Sequence, residues 1–268
     1  MITSSIVLYK NPMPECHAIL DLLEKSCVEK VYLIDHSGDD RLAVLTDYSP
    51  KIEYIPHDNL GYGSGHNVAI RKAMELGAKY HVVLNADLLF EANIFQKLAD
   101  FMEQNPQAGQ VMPKVFYPDG TNQFLCKLLP TPFDLIFRKF LPKNWFVKSK
   151  ERFTCNFTGY DRIMNVPYLS GCFMFLRVSA LQKVGLFDER FFMYGEDIDL
   201  SRRIHQKFET LFYPEISIIH NHAAASGKSL KMLWVHIVNV CYYFNKWGWL
   251  FDKERNSVNK HFIDTWQK

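Results

Sequence analysis

Short apolar, β-rich runs alternate with segments of helical periodicity through the first third of the chain. SSIVLY, KVYLID, KIEYIP and YHVVLN read as strands, and helices are expected over residues 15–25 and 66–76. Such alternation predicts an α/β fold with a mostly parallel central sheet flanked by helices. In sheets of this kind a ligand binds beyond the carboxyl ends of the strands. The residues that fall there are Asp35 after VYLI, the segment HDNLGYGSGHN after KIEYIP, and NAD after YHVVL.

From residue 119 to 162 the periodicity gives way to an aromatic and basic stretch, LLPTPFDLIFRKFLPKNWFVKSKERF, which predicts a long excursion from the sheet. Regularity returns with YLSGCFMFLR, expected as one apolar strand, and a short helix at VSALQKV. A helix over 229–247 and an amphipathic, Trp-rich tail follow. The most apolar stretch, MLWVHIVNVCYYF, is interrupted by His236 and Asn239 and falls short of the ~20 residues of a membrane span. MITSSIVLYK has no basic start and no long apolar run, so it reads as a core strand rather than a signal peptide.

A length of 268 residues at 48% hydrophobic composition allows a substantial core. The net charge of +2 excludes the broad basic surface of a general nucleic-acid binder, so any phosphate affinity is expected to be local. Six scattered cysteines without a C-x-x-C pair suit reduced, mostly buried thiols in a cytosolic compartment.

Four segments carry candidate chemistry. GYGSG, at 61–65, follows the third strand rather than the first, which argues against a Rossmann dinucleotide loop; it reads equally as a ligand loop or as a turn into a helix capped near Ser64. LNADLLF sets Asn85 and Asp87 two apart at a strand end, where a turn competes with a thin Mg²⁺ site that a bound diphosphate would complete. YGEDIDLSRRI places Glu196, Asp197 and Asp199 in the first turn of an expected helix. There the unpaired amides favour acids, and one carboxylate could serve as a proton acceptor. His220 and His222 lie on one side of an extended run, with no further residues spaced for a structural zinc site. Neither a G-x-S-x-G elbow nor a P-loop is present.

Taken in order, these segments resemble family-two, GT-A-fold glycosyltransferases, inverting enzymes that use nucleotide sugars. The resemblance runs from SIVLYKNP to about Ser229, and YLSGCFMFLRVSALQKVGLFDERFFMYGEDIDLSRRI is similar to the family's G-x-F-D-E-x-F-F and E-D-x-D-L-x-x-R pattern. It implies a Rossmann-like nucleotide-binding half over 1–115, an acceptor-binding half over 116–228 and a helical, membrane-proximal extension over 229–268. It further implies that Asp35, Asn59, Gly61, Asn67, Asn85, Asp87 and Arg203 serve the nucleotide sugar, and that Asp87 and His220 hold Mg²⁺ or Mn²⁺. Asp197 stands at the position of the catalytic base with Glu196 beside it, and Arg202, Tyr194 and Gly171 stand on the acceptor side.

The N-A-D variant looks most like the rhamnosyltransferase-like branch that builds bacterial O-antigen and capsule repeats. That implies a dTDP-rhamnose donor, with a UDP-hexose as the alternative, and a saccharide or polyprenyl-diphosphate-linked acceptor at the cytoplasmic face of the inner membrane. The aromatic and basic stretches suit peripheral membrane contact, or equally a solvated loop and a packed helix. A sugar nucleotidyltransferase and a non-catalytic nucleotide-sugar binder are the readings from other classes. The first would want a basic, glycine-rich loop where LYKNPMPE stands, and the second would be expected to lose Asp87 and Asp197.

Overall fold

The computed structural model describes residues 1–136, 146–221 and 230–267, without the side chains of Leu230 and Lys231. Strands β1 (Ile2–Leu8), β2 (Lys30–Asp35), β3 (Ile52–Pro56) and β4 (Tyr80–Leu84) alternate with helices α1 (Met13–Glu24) and α2 (Tyr62–Glu75). β5 (Leu88–Leu89), α3 (Ile94–Gln104), β6 (Ala108–Phe116), β7 (Cys126–Lys127), α4 (Pro132–Leu135) and α5 (Val147–Phe153) follow. The chain continues through β8 (Met164–Asn165), β9 (Tyr168–Leu169), β10 (Phe173–Arg177), α6 (Val178–Val184), α7 (Glu196–His205) and β11 (Glu209–His220). Two helices, α8 (Leu230–Trp247) and α9 (Lys253–Trp266), come last.

The main sheet has the order β3-β2-β1-β4-β10-β6-β11-β5, with β8 added to β11. β1 is parallel to β2 and β4, β2 to β3, and β6 to β11; β10 runs antiparallel between β4 and β6. The mostly parallel sheet expected from the alternation is therefore present. β4 is buried along its length and β1 at every position but Val7, polar residues included. Thr3 and Ser5 are satisfied by His81 at 2.8 Å each, and Ser5 also by His66 at 2.7 Å. Burial depresses both histidines, so they stay neutral within this network.

Two local expectations are corrected. The second helix begins at Tyr62 rather than near residue 66, so GYGSG is drawn into its first turn and Ser64 is not the cap. Gly61 makes this possible: its φ is +109°, and a Cβ there would lie 2.5 Å from the Phe192 carbonyl oxygen. The approach lets the Tyr62 amide donate to that carbonyl at 2.9 Å. YLSGCFMFLR, in turn, is not one strand. It breaks between β9 and β10, and the break carries Gly171 out of the ladder. Within the expected excursion, 137–145 lies outside the described residues, and its flanks form the short elements β7, α4 and α5.

The C-terminal helices pack on α7. Ile198 of α7 joins Val240, Tyr243 and Phe244 of α8 in one apolar cluster with Tyr168 and Phe191. Beside it, Arg202 is almost wholly buried, with its guanidinium 2.7–2.8 Å from both Asp252 oxygens and 2.7 Å from Glu254. Its other face lies over the Trp247 ring at 4.0 Å. Removing one member of a buried ion pair strands the other in a low dielectric. Arg202→Ala is thus expected to lower the unfolding free energy by ~3–5 kcal/mol, read by urea denaturation. A loss below ~1 kcal/mol, the range of an exposed pair, would contradict the role given to this contact.

Candidate active site

The site lies along the carboxyl ends of the parallel strands and is joined by hydrogen bonds across several elements. It starts at Asp197, in the first turn of α7, where one carboxylate oxygen accepts from the Gly171 amide at 2.9 Å and from the Tyr168 hydroxyl at 3.1 Å. The other accepts from the Ile198 amide at 2.9 Å, so Asp197 is held by one unpaired amide of its own helix start as well. Gly171 is required by proximity: a Cβ there would stand 2.9 Å from the Asp197 Cβ.

The Gly171 carbonyl faces the Tyr62 hydroxyl at 2.8 Å, and the same hydroxyl lies 3.0 Å from Asn85 Oδ1. Burial drives this phenol well above its ordinary value, so it remains a neutral donor serving the two acceptors with one proton. Asn85 Nδ2 lies 3.3 Å from His220 Nε2, and that nitrogen is 3.2 Å from Asp87 Oδ1. On its far side His220 Nδ1 meets Gln123 Oε1 at 3.0 Å, while the Gln123 amide donates to the His220 carbonyl at 2.8 Å. Burial disfavours protonation of His220, but the contacts with Asp87 and the Cys172 sulfur outweigh it and raise the imidazole to about 10.

Glu196 differs from its neighbour. It is buried, and burial first and the charge of Asp197 second push its carboxyl from an ordinary 4.5 to about 8. It is therefore mainly protonated at neutral pH, with Oε2 accepting from the Gly195 amide at 2.8 Å. Asp199, the third acid of the motif, is fully buried and committed to Arg203, Lys246 and the Trp247 indole. Tyr194, just before the helix, has a φ of +77°, a left-handed conformation that costs a non-glycine residue ~1–3 kcal/mol. Its ring packs edge-on against His236 at 5.5 Å.

The structure thus brings Asp197, Glu196, Gly171, Asn85, Asp87 and His220 together. Asp35 ends β2, buried, with its oxygens accepting from Ser37 and from the Tyr54 hydroxyl. Asn59 is exposed in the loop before α2. Asn67 is buried and bonded internally: its amide clamps the Phe187 backbone in both directions and bonds Glu189. Arg203 pairs with Asp199 and donates to the carbonyls of Val184, Gly185 and Leu186. With Arg202 committed to Asp252 and Glu254, neither arginine joins the polar chain. His222 lies outside the described residues.

Tyr62, Tyr168 and Gln123 are contacts of this site that the sequence does not single out. Tyr62 lies inside GYGSG and Tyr168 opens YLSGCFMFLR, while Gln123 has no motif near it. Tyr168 also walls a cavity of about 200 Å³ whose other sides include Lys127, Phe153, Thr154 and His236. The Lys127 ammonium sits 4.9 Å above the Tyr168 ring. The ring is thus buried and covered by a cation, and only its hydroxyl reaches towards Asp197.

Among the described residues, no cluster of three or more His, Cys, Asp or Glu forms a closed metal cage. Asp87 and His220 are nevertheless spaced as neighbouring ligands of one octahedral ion, since bonds of ~2.1 Å at right angles set donor atoms ~3 Å apart. Two protein ligands with open positions fit a hard cation shared with a diphosphate.

Comparison with known proteins agrees with this architecture. Residues 16–185 match the glycosyl transferase family 2 domain, a span that stops short of α7 and its acids. The N-acetylglucosaminyl-diphospho-decaprenol L-rhamnosyltransferase of Mycobacterium tuberculosis is 27% identical over 215 residues, covering 74% of this chain and 68% of that one. Rhamnosyltransferase WbbL of Escherichia coli is 24% identical over 199 residues, 71% of this chain and 72% of its own. Among solved structures, the mannosyltransferase PcManGT of Pyrobaculum calidifontis, with GDP-Man and Mn²⁺, superimposes with a TM-score of 0.58 at 13% identity, covering 98% of this chain and 74% of that one. With the sheet, the polar chain at its carboxyl edge and a family match over well more than half its length, this chain belongs to glycosyl transferase family 2.

Proposed function

We propose that the protein is an inverting, metal-assisted glycosyltransferase that moves L-rhamnose from dTDP-rhamnose to a lipid-linked saccharide in bacterial surface polysaccharide synthesis. The observation that carries the chemistry is the row of polar groups from Asp197 through Gly171, Tyr62 and Asn85, hydrogen-bonded to one another, to the adjoining His220–Asp87 pair. It sets a proton acceptor at one end and a cation site at the other. Residues 1–115 hold the donor, 116–228 the acceptor, and 229–268 form an extension that reaches the cytoplasmic membrane face. The rhamnose donor and the lipid-linked acceptor rest on the names of the two relatives. A UDP-hexose is the second reading, supported by the generality of the GT-A site.

An acceptor hydroxyl attacks the anomeric carbon; the new C–O bond forms as the bond to the diphosphate oxygen breaks, and its electron pair leaves with the diphosphate. The hydroxyl proton passes to Asp197, whose carboxylate is oriented by the Gly171 amide and the Tyr168 hydroxyl. Glu196, mainly protonated at neutral pH, avoids a second full negative charge beside the base. Mg²⁺ or Mn²⁺ on Asp87 and His220 would stabilise the charge gathering on the leaving diphosphate.

Asp197→Asn is expected to cut turnover by ~10²–10⁴ while leaving donor binding within about twofold, measured by radiolabelled transfer and calorimetry. Near-normal turnover would remove Asp197 from the role. For the cation, Asp87→Asn and His220→Ala should each weaken Mn²⁺ binding in the presence of dTDP. In the wild type that binding should strengthen with rising pH, because the ion replaces the proton held on His220. Thermal shifts with dTDP-, UDP- and GDP-sugars separate the donor readings, since the true donor raises apparent stability most.

Glu196 makes a separate prediction. Its folded carboxyl titrates above the unfolded one, so the stability it contributes is complete below pH 4.5 and is lost as pH rises towards about 8. Glu196→Gln, which mimics the protonated form, should therefore gain on the wild type over that window by on the order of a few kcal/mol. Parallel stability curves for the two proteins would contradict it.

A further inference from the structure

The turn between α8 and α9 presents apolar side chains that the transfer chemistry does not use. Gly248, at a φ of +101°, swings the chain out of α8. Leu250 and Phe251 then stand 73% and 94% exposed, with Trp249 at their base.

This turn is held in place from beneath. Arg255, itself only 3% exposed, reaches the carbonyls of Gly248, Trp249 and Leu250 and that of Pro130 at 3.2–3.4 Å. Asp252 caps α9 through the Arg255 amide at 2.9 Å and is fixed in turn by Arg202. The polar backbone is thus satisfied inward, and the apolar side chains point outward. Exposed apolar surface forgoes ~25 cal/mol per Å², so a buried arginine that keeps Leu250 and Phe251 in water marks a built surface. The Trp249 indole donates to Asn245 at 2.8 Å, an amphipathic ring at the shoulder of the tip. Trp234, Val238 and Tyr242 extend the same face along α8 at four-residue spacing.

We propose that this tip and the outer face of α8 dock the protein on a lipid bilayer surface, an inference that rests on the reading that the acceptor is lipid-linked. A tip of three residues and a single row of three α8 side chains, one of them half-buried, make a narrow footprint beside the ~20–30 residues a side of a stable protein interface. Its order, apolar at the apex with Trp and Tyr at the shoulders, follows the polarity gradient of a membrane interface. Acids close to the turn do not oppose an anionic surface. Asp252 and Glu254 are paired with Arg202, Asp188 with Arg190 and Lys246, and the adjacent Lys253 is exposed.

The opposite face of α8 belongs to the site. His236 lines the cavity shared with Tyr168, and Asn239 bonds the Phe192 amide and the Met193 carbonyl. Docking at the turn would hold the site near the bilayer that presents a lipid-linked sugar, with the cavity about one helix diameter (~10 Å) behind the outer face of α8.

The test is co-sedimentation with vesicles of phosphatidylethanolamine and phosphatidylglycerol. Leu250→Ser/Phe251→Ser is expected to lower the partition coefficient ~10-fold or more, while transfer to a water-soluble, short-chain acceptor stays unchanged. A Phe251→Trp variant should show a blue-shifted emission on vesicles that brominated lipid quenches. Undiminished vesicle binding by the double serine variant, or the absence of any quenching in the Phe251→Trp variant beyond that of the wild type, overturns the proposal. So does self-association that the serines abolish in a protein that ignores vesicles, which would assign the tip to a second copy. Tip-dependent vesicle binding by a protein that transfers no sugar would leave this inference standing and remove the functional reading instead.

Discussion

Helix α7 is fixed at both ends by charge, and much of the remaining structure is arranged around it. At its start, Asp197 is clamped by the Gly171 amide, the Tyr168 hydroxyl and the Ile198 amide. At its end, Arg202 is locked into Asp252 and Glu254, and Arg203 into Asp199. A charge this deeply buried is tolerated only when every strong partner is in place. The arrangement therefore couples the geometry of the site to the docking of the C-terminal helices: a shift of α9 would be felt at α7.

The two adjacent carboxyls show how position divides the labour of like groups. Both begin the same helix, yet Glu196 faces the interior, where desolvation keeps its proton on, and Asp197 is oriented by the Gly171 amide and the Tyr168 hydroxyl. The strained Tyr194 backbone immediately before them belongs to the same turn. Such strain persists only where surrounding contacts over-determine it; here Asn239 grips the preceding Met193 carbonyl and the Tyr194 ring packs on His236.

The alternation of apolar runs and helical segments determined the sheet, because side-chain period and burial are local properties that strands and helices cannot exchange. It also placed Asp35, Asn85 and Asp87 at one edge of the sheet, since polar groups just after parallel strands must emerge there. Tertiary structure alone decided who meets whom. Tyr62 reaches Asn85 across 23 positions and Gly171 across 109, and Gln123 orients His220 across 97. Neither leaves a periodic or compositional trace. The arginines of E-D-x-D-L-x-x-R and the asparagine of the glycine segment read as ligand groups in the chain, but α9, the loop after α6 and the GLFDE turn supply internal partners that consume them. A motif records which charges are present; whether a charge faces a substrate or a buried counter-ion depends on what the fold brings against it.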